Sequence, residues 1–244
     1  MHELNPITAT LNKYFGNLAT QVMQAVHVQP YNPQAPITET FAMELLVLGL
    51  LLLFFLLVRF SLNVENPGTI QQIAEMIHGF VSDQGESIIG YGYQRYVMFA
   101  TCVLLFVLLS NLLGMVPGLI APTSVATVPL GVALWCWFYY HYHGIREQGP
   151  GSYFKHFLGP IWWISPMMLP IEIISHLARI LSLTVRLYAN MFAGEEVTLV
   201  FFSLIPIGIP IIFMVLHLGV ALIQAYIFML LTMIYVSQAV AHDQ

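Results

Sequence analysis

One long apolar stretch after Pro170 carries more polar side chains than a membrane span normally contains: Glu172, His176, Arg179, Ser182, Arg186, Asn190, Glu195 and Glu196. A charged side chain at the centre of a bilayer costs about 2.5 to 3.5 kcal/mol even on lenient scales, so such a residue is a functional hypothesis by default. Carboxylate and imidazole groups can relay protons because burial and neighbouring charges move their pKa values. The pattern therefore indicates ion movement through a membrane.

Arg186 is the central residue of this set. Arginine keeps its proton in proteins and therefore acts as a fixed cation. Structural ion pairing or snorkelling to the interface is the alternative, and it suits Arg179 and Glu172, near one end of the span, better than Arg186. Ser182 and Asn190 lie one helical turn before and after Arg186, on the same face, where they can hydrogen-bond the guanidinium or water.

Titratable groups flank Arg186 on both sides along the predicted helix. Glu195 lies nine residues, or about 13 Å of helix, toward the C-terminal end. His176 and Glu172 lie toward the N-terminal end. These groups lead from each membrane face toward the fixed cation, and no continuous pathway across it is required. Glu196 is the alternative to Glu195, which would then be a surface charge near the interface.

The final apolar helix adds two more polar residues, His217 and Gln224. In an antiparallel hairpin, facing residues are equally distant from the turn. Pairing Arg186 with Gln224, or Glu195 with His217, places the turn at Pro206 or the residue before it, and proline independently predicts a helix end there. We therefore expect the members of each pair to lie at matching depths.

Composition places the chain among integral membrane proteins. Of its 244 residues, 58% are hydrophobic and only 8% are charged, whereas about a quarter of the residues in a soluble domain are charged. The mean hydropathy is +0.78. Seven Lys and Arg residues spread over the chain exclude a basic face that could bind nucleic acid. Cys102 and Cys136 lie in apolar runs and are interpreted as small buried hydrophobes with a structural role.

Proline, glycine and charged residues divide the chain into the elements that must position these groups. Residues 1–40 are mixed and end in a proline-rich stretch, which predicts a tail outside the membrane. Residues 41–244 are predicted to form a single transmembrane domain. Its first span runs from Phe41 to Val58. Apolar residues then recur at helical spacing between 70 and 83, which predicts an amphipathic helix on the membrane surface.

The second half of the domain has three predicted features. Residues 96–140 contain no Asp, Glu, Lys or Arg, and prolines divide them into a transmembrane hairpin that turns near 117–124. Residues 144–166 form a connecting segment outside the hydrocarbon. A long helix begins after Pro170, and a last helix covers about 211–240. At about 45 Å, the last helix exceeds a hydrocarbon core of about 30 Å and must tilt or project.

The predicted fold is an all-α polytopic membrane protein with about five transmembrane helices and one amphipathic surface helix. The last two helices form a long tilted hairpin. In this topology Arg59, Arg95, Arg146 and Lys155 flank one side of the membrane, and only Lys13 lies in a tail on the other side. The positive-inside rule then places the N-terminus outside and the C-terminus in the cytoplasm.

Three segments resemble subunit a of F-type ATP synthases. They are RILSLTVRLYANMFAGE from Arg179 to Glu195, SNLLGMVPG from Ser110 to Gly118, and QAYIFMLLT from Gln224 to Thr232. Ala189 departs from the family pattern, which usually has Gly at this position, but the polar set is intact. The first 40 residues carry no resemblance.

The resemblance implies two offset aqueous half-channels that feed a rotating ring of c subunits, each with an ion-binding carboxylate. Arg186 would attract a deprotonated ring carboxylate, force release of its ion and prevent leakage. Gln224 would position the arginine region. The outer half-channel would use Glu195, His217 and Asn190, and the inner one Glu172, His176 and Ser182.

The resemblance also implies a place in the cell and a set of partners. The chain would lie in the bacterial inner membrane, contacting the c-subunit ring, the b-subunit peripheral stalk, the remainder of the ATP synthase complex and lipid. It would require no cofactor and would not itself hydrolyse ATP, and no phosphate-binding glycine loop is present in the sequence. Proton and sodium specificity both stay open, because the ion-binding carboxylate belongs to the c subunit.

Other classes of membrane protein fit less well. A secondary transporter also uses intramembrane charges, but two matching halves are missing. A haem protein would need histidines at equal depth, which the hairpin register does not give His176 and His217. An intramembrane protease would need a zinc or serine motif that the sequence lacks. His141 and His143 are interpreted as a solvated helix end rather than a metal site.

Overall fold

The computed structural model describes residues 5–25, 35–63, 65–116, 118–149, 151, 153, 165–204 and 208–240. Within these ranges the chain forms seven α-helices, a short 3₁₀ turn at Pro122–Ser124 and no β-strand. The helices are α1 (Pro6–Ala25), α2 (Glu39–Ser61), α3 (Thr69–Ile89), α4 (Gln94–Leu113), α5 (Thr127–Gln148), α6 (Ser165–Leu204) and α7 (Ile209–Val240). The all-α prediction is confirmed.

Four of the described helices are long and apolar enough to cross a membrane: α2, α4, α6 from Met167 onward and α7 from Pro210 onward. The chain is therefore a polytopic membrane protein, as predicted. The fifth predicted span corresponds to α5. This helix has 22 residues, but its C-terminal half is rich in Tyr and His, and it is not among the four. Its passage through the bilayer stays a prediction.

Local sequence explains where the first helices begin and end. The side-chain oxygen of Thr38 accepts a hydrogen bond from the backbone N–H of Phe41 and caps α2. Glu39 in the first turn of α2 and Arg59 in its last turn complement the helix dipole. The amphipathic helix α3 ends at Ile89 and is capped by Gly90, whose φ of 75° suits glycine. The bounds of α2 and α3 agree with the predicted first span and the predicted amphipathic helix. The position of α3 on the membrane surface stays a prediction.

The last two helices form the predicted antiparallel hairpin. At about 1.5 Å per residue, the 40 residues of α6 and the 32 residues of α7 span about 60 and 48 Å. Helix α6 ends at Leu204 and α7 begins at Ile209, so the chain turns close to the predicted position. Residues 205–207, including Pro206, lie outside the described ranges.

The start of α6 differs from the prediction. A helix beginning after Pro170 was expected, whereas α6 begins at Ser165 and includes Pro170. The physical reason is that proline removes one backbone N–H and disturbs only the hydrogen bond to the preceding turn, which is tolerated near a helix start. Proline therefore marks the beginning of this helix only to within about two turns.

The core lies where α7 packs against α4, α5 and α6. Its most buried side chains include Val97, Val107, Leu187, Met191, Ala221, Ala225, Phe228 and Met229. The two alanines are small enough to let neighbouring helices approach closely. Helices α4 and α5 run in opposite directions and contact each other through aromatic side chains, with Phe99 stacked on Tyr139 at a ring-centroid distance of 3.7 Å. Helix α7 packs against both.

The two ends of this helix assembly carry different groups. The Glu195 end contains the loop between α4 and α5, the C-terminal end of α6 and the start of α7. The His176 end contains the starts of α4 and α6 and the ends of α5 and α7. At that end, Nη1 of Arg95 donates a hydrogen bond of 2.7 Å to Oε1 of Glu147.

The N-terminal tail contains α1, a helix that composition does not predict. The side-chain amide of Asn12 hydrogen-bonds both the carbonyl and the N–H of Ile37, each at 3.0 Å, and ties α1 to the segment before α2. Nδ2 of Asn5 donates to the carbonyl of Gly118. Helix α1 therefore begins at the Glu195 end. Whether the tail lies outside the membrane stays a prediction.

The two cysteines differ in their surroundings. Cys136 is buried, as predicted, but Cys102 is exposed on α4. The prediction for Cys102 is wrong because an apolar run does not imply burial inside a membrane protein. The face of a span that contacts lipid is apolar too.

Candidate functional site

Arg186 lies on α6, about midway between the two ends. Its Nη2 donates a hydrogen bond of 3.2 Å to Oγ of Ser182, one turn earlier on the same helix. Within the part of the chain that the structure describes, no carboxylate forms an ion pair with the guanidinium. Its charge is therefore available to a group outside this chain.

An exposed apolar stripe on α6 runs beside Arg186. Its members follow the helical repeat at intervals of three, four or seven residues: Ile174, Leu177, Leu181, Val185 and Phe192. The opposite face of α6 is buried against the core through Leu183, Leu187 and Met191. The cation thus lies at the edge of a free apolar surface that α6 leaves open in the single chain.

Gln224 contacts a different residue from the one expected. It is 3% exposed, and its Oε1 accepts a hydrogen bond of 3.0 Å from Nδ2 of Asn190. Pairing with Arg186 was predicted, but the described side-chain contact lies one turn nearer the Glu195 end. Counting residues from the turn ignores the rotation of each helix about its axis, and that rotation decides which side chains meet.

Glu195 and His217 line one cavity at the Glu195 end, as their equal distance from the turn suggested. The cavity has a volume of about 410 Å³. It is lined by Gly114, Met115, Val116, Gly118, Leu119, Ile120, Glu195, Thr198, Leu199, Phe202, Met214 and His217. Most of this lining is apolar, so the carboxylate and the imidazole are its main titratable groups.

His217 is held tightly at this cavity. The residue is 8% exposed, and its Nε2 has no hydrogen-bond partner among the described residues. A Cβ atom at Gly194 would lie 2.8 Å from Cε1 and Nδ1 of the imidazole. The absence of a side chain at Gly194 therefore leaves the space that the ring occupies. Nε2 is buried and keeps an unused hydrogen-bonding position among the described residues.

The loop between α4 and α5 supports Glu195 through contacts that sequence reasoning missed. The backbone N–H of Ala121 donates to Oε1 of Glu195 at 3.4 Å. The loop itself is anchored by Asn111, which is fully buried and accepts a hydrogen bond of 2.7 Å from Oγ1 of Thr123. Nδ2 of Asn111 also donates to the carbonyl of Ala221. Two sequence signals pointed to this region: the polar Asn111 inside an apolar run, and the family-like segment from Ser110 to Gly118 that contains it.

The His176 end brings Glu172 and His176 together. Nε2 of His176 lies 3.3 Å from Oε1 of Glu172, one turn earlier on α6. Nδ1 of His176 lies 2.8 Å from the hydroxyl of Tyr140 on α5. The guanidinium of Arg179 lies over the ring of Tyr235, 5.1 Å from its centroid, which fits the structural interpretation of Arg179.

His141 and His143 lie near the C-terminal end of α5, as predicted, but both are half-buried rather than fully solvated. Nδ1 of His141 lies 2.6 Å from the hydroxyl of Tyr153, and its ring centroid lies 4.7 Å from that of His176. His143 packs edge-on against Tyr96. Aromatic side chains of α4, α5 and the following segment cover both rings. Among the described residues, no group of three His, Cys, Asp or Glu side chains could hold a metal ion.

The family model described as ATP synthase A chain matches residues 41–237. The matched region includes Arg186, the cavity with Glu195 and His217, and the contacts of His176.

Individual relatives cover nearly the whole chain. ATP synthase subunit a of Koribacter versatilis is 53% identical over 235 residues, which are 96% of this chain and 96% of the relative. ATP synthase subunit a of Solibacter usitatus is 46% identical over 212 residues, 86% of this chain and 91% of the relative. ATP synthase subunit a 1 of Syntrophotalea carbinolica is 38% identical over 220 residues, 90% of this chain and 92% of the relative.

Proposed function

The chain belongs to the ATP synthase A chain family, and we propose that it carries ions, most simply protons, through the membrane sector of an F-type ATP synthase. It acts as a non-catalytic subunit a beside a rotating ring of c subunits. Two offset half-channels deliver ions to the ring carboxylates and remove them. Arg186 separates the two half-channels.

The observation that carries this proposal is the setting of Arg186. It is a permanent cation beside an exposed apolar stripe, without a carboxylate partner among the described residues. Such a charge is costly in a membrane unless a partner of opposite sign approaches it. A deprotonated ring carboxylate provides that partner and must release its ion to pair. Since arginine does not give up its own proton, ions cannot hop through it.

The remaining site residues fall into two groups along α6. Glu195 and His217 serve the outer half-channel, because they are the main titratable groups of the cavity at the Glu195 end. Asn190 lies between that cavity and Arg186, held by Gln224. Glu172 and His176 serve the inner half-channel, and Ser182 hydrogen-bonds Arg186 from that side.

The proposed surroundings follow from the same arrangement. The chain lies in the bacterial inner membrane with its N-terminus outside and its C-terminus in the cytoplasm. The position of helix α1 supports placing the N-terminus and the outer cavity on the same side of the membrane, since Asn5 hydrogen-bonds the loop that lines this cavity. Partners are the c-subunit ring, the b-subunit peripheral stalk and the rest of the complex. No cofactor is needed for ion transfer along these side chains.

Cross-linking in the intact complex tests whether the α6 stripe contacts the ring. Cys102 and Cys136 are first replaced by alanine. A cysteine at Val185, which is 56% exposed, is then expected to form a disulfide on mild oxidation with a cysteine placed one turn from the ring carboxylate. The expected product contains one copy of this chain and one c subunit, detected on a non-reducing gel.

A cysteine at Leu53 on α2 is the matched control, because Leu53 is an equally apolar side chain with 52% exposure. It should give no such product. Absence of the product from position 185 in a complex that still synthesises ATP would rule out the proposed ring contact. Equal products from both positions would show that the reaction reports collisions rather than docking.

Replacing Gly194 by Ala should slow passive proton conduction through the membrane sector. The new Cβ would come within 2.8 Å of the His217 ring, so the imidazole must move away from the cavity it lines. Displacing a reacting group by about 1 Å can lower a rate by up to about 10²-fold. We expect a loss of about tenfold or more, measured with a pH-sensitive dye in vesicles.

Gly49→Ala on α2 controls for the effect of an added methyl group in a membrane helix. Nothing lies within 4 Å of a Cβ built there, and conduction should stay at the wild-type level. Normal conduction in assembled Gly194→Ala complexes would mean that the position of His217 does not limit the outer path.

A further inference from the structure

We propose that Tyr140 is a positioning residue for proton transfer between His176 and Glu172, because its hydroxyl can bond Nδ1 of the imidazole in every protonation state. This inference rests on the proposed function, in which His176 and Glu172 form part of the inner half-channel. It adds a residue of α5 to a path otherwise built on α6.

The geometry fixes both nitrogens of the imidazole. Tyr140 is 2% exposed, and its hydroxyl lies 2.8 Å from Nδ1 of His176. The two rings are nearly parallel, with an interplanar angle of 22° and centroids 5.9 Å apart. On the other side of the imidazole, Nε2 lies 3.3 Å from Oε1 of Glu172. Tyr140 on α5 therefore orients the His176 ring for a proton transfer to Glu172, which lies on α6 with His176.

A phenol hydroxyl suits this position because it can donate or accept. In the neutral tautomer that carries its proton on Nε2, Tyr140 donates to Nδ1, and Nε2 lies 3.3 Å from Oε1 of Glu172. In the neutral tautomer that carries its proton on Nδ1, Tyr140 accepts. When an excess proton makes His176 an imidazolium, the Tyr140 hydroxyl turns and accepts from Nδ1–H. The nitrogen is thus bonded in each of these states.

The transfer step balances within the His176–Glu172 pair. The N–H bond at Nε2 of the imidazolium breaks, and an O–H bond forms on Oε1 of Glu172. His176 is left neutral with its proton on Nδ1, still donated to Tyr140. The protonated carboxyl then releases its proton to water at the His176 end. The next proton binds the empty Nε2 and forms the imidazolium again, which closes the cycle while Tyr140 still accepts from Nδ1–H.

Other titratable and charged groups surround His176. On α6 they are Glu172, whose Oε1 lies 3.3 Å from Nε2 of His176, and Arg179, which lies three residues further along the helix. On α5, the ring of His141 lies 4.7 Å from that of His176, and two such close imidazoles do not readily carry charge together. Beyond it, burial raises the pKa of Tyr153 to about 12, so this phenol stays protonated beside His141.

Gradient-driven ATP synthesis by the intact complex, measured in membrane vesicles as a function of pH, tests the inference. Tyr140→Phe retains the stacked ring and removes only the hydroxyl. We expect about a tenfold lower rate at neutral pH, the size of effect that follows the loss of one hydrogen bond to a charged group. The pH profile of the rate should also move toward lower pH, because loss of the Tyr140 hydrogen bond destabilises the imidazolium more than the neutral imidazole.

Tyr139→Phe is the matched control. Tyr139 is the preceding residue on α5 and stacks on Phe99. This variant therefore also removes a phenol hydroxyl, but at a position away from the His176 ring. Its rate and pH profile should equal those of the wild type. An unchanged rate in assembled Tyr140→Phe complexes, or an equal loss in both variants, overturns the inference.

The His176→Ala background separates positioning from packing. If Tyr140 acts through His176, adding Tyr140→Phe to His176→Ala causes no further loss. A further loss of about tenfold in the double variant would show that Tyr140 acts on packing, and the inference fails. Arg186→Ala in the same vesicles reports on the proposed function by itself. If that variant loses synthesis while Tyr140→Phe does not, only the role of Tyr140 is wrong.

Discussion

Arg186→Ala is expected to abolish ATP synthesis driven by an ion gradient while the subunit stays inserted and assembled. Its side chain hydrogen-bonds Ser182 on the same helix and forms no ion pair in the described part of the chain. Removing it therefore takes away no described contact between helices. Synthesis should fall to the background level in vesicles whose content of this subunit, checked by immunoblot, equals that of the wild type.

Arg179→Ala provides the matched control on the same helix. Arg179 lies over the ring of Tyr235 at the His176 end, where an exposed or interfacial charge is inexpensive. This variant should retain most of the synthesis rate. Wild-type synthesis in Arg186→Ala vesicles would refute the assignment of Arg186 as the separating cation.

Arg186→Lys distinguishes a fixed guanidinium from a simple positive charge. Lysine keeps the charge, but it lacks the planar set of donors and can lose its proton when desolvated. We expect synthesis to be severely impaired and passive leakage of protons to rise, because a lysine that deprotonates no longer separates the half-channels. Full activity in this variant would mean that charge alone suffices.

Glu195→Gln should lower passive proton conduction by about 10²-fold, the lower range found when a proton-transferring side chain is removed. Glutamine keeps the size of the side chain and can still accept the N–H of Ala121, but it cannot titrate. The cavity should therefore stay intact while its carboxylate is lost. Dye-monitored proton uptake by vesicles stripped of the catalytic headpiece measures the effect.

Glu196→Gln is the paired variant, since Glu196 is the neighbouring carboxylate and is exposed. It does not line the cavity, so conduction should remain near the wild-type rate. Impairment of the Glu196 variant alone would transfer the outer role to Glu196. The two variants differ by one position, and assembly defects should affect them similarly.

Local sequence was sufficient for features that depend on composition and helical periodicity. Apolar runs predicted α2, α6 and α7 because only a helix satisfies its own backbone hydrogen bonds in lipid. The spacing of four residues placed Ser182 beside Arg186, and the structure joins them with a hydrogen bond. These results need no knowledge of other helices.

Contacts between helices required the tertiary structure. Gln224 bonds Asn190 rather than Arg186, since the direction of a side chain depends on the rotation and crossing of its helix. One residue along a helix turns the side chain by about 100°. Distance from a turn therefore predicts depth, as it did for Glu195 and His217 at one cavity, but not which atoms meet.

Contacts between segments far apart in sequence were the least predictable from the sequence. The bond from Ala121 to Glu195 depends on how a loop folds over α6, and that between Tyr140 and His176 depends on the packing of α5 against α6. Neither leaves a periodic signal in the chain. The sequence by itself determined the membrane helices and the polar residues on their faces, because these follow from local periodicity. Only the tertiary structure decided the partners of those residues, because helix rotation and loop packing set them.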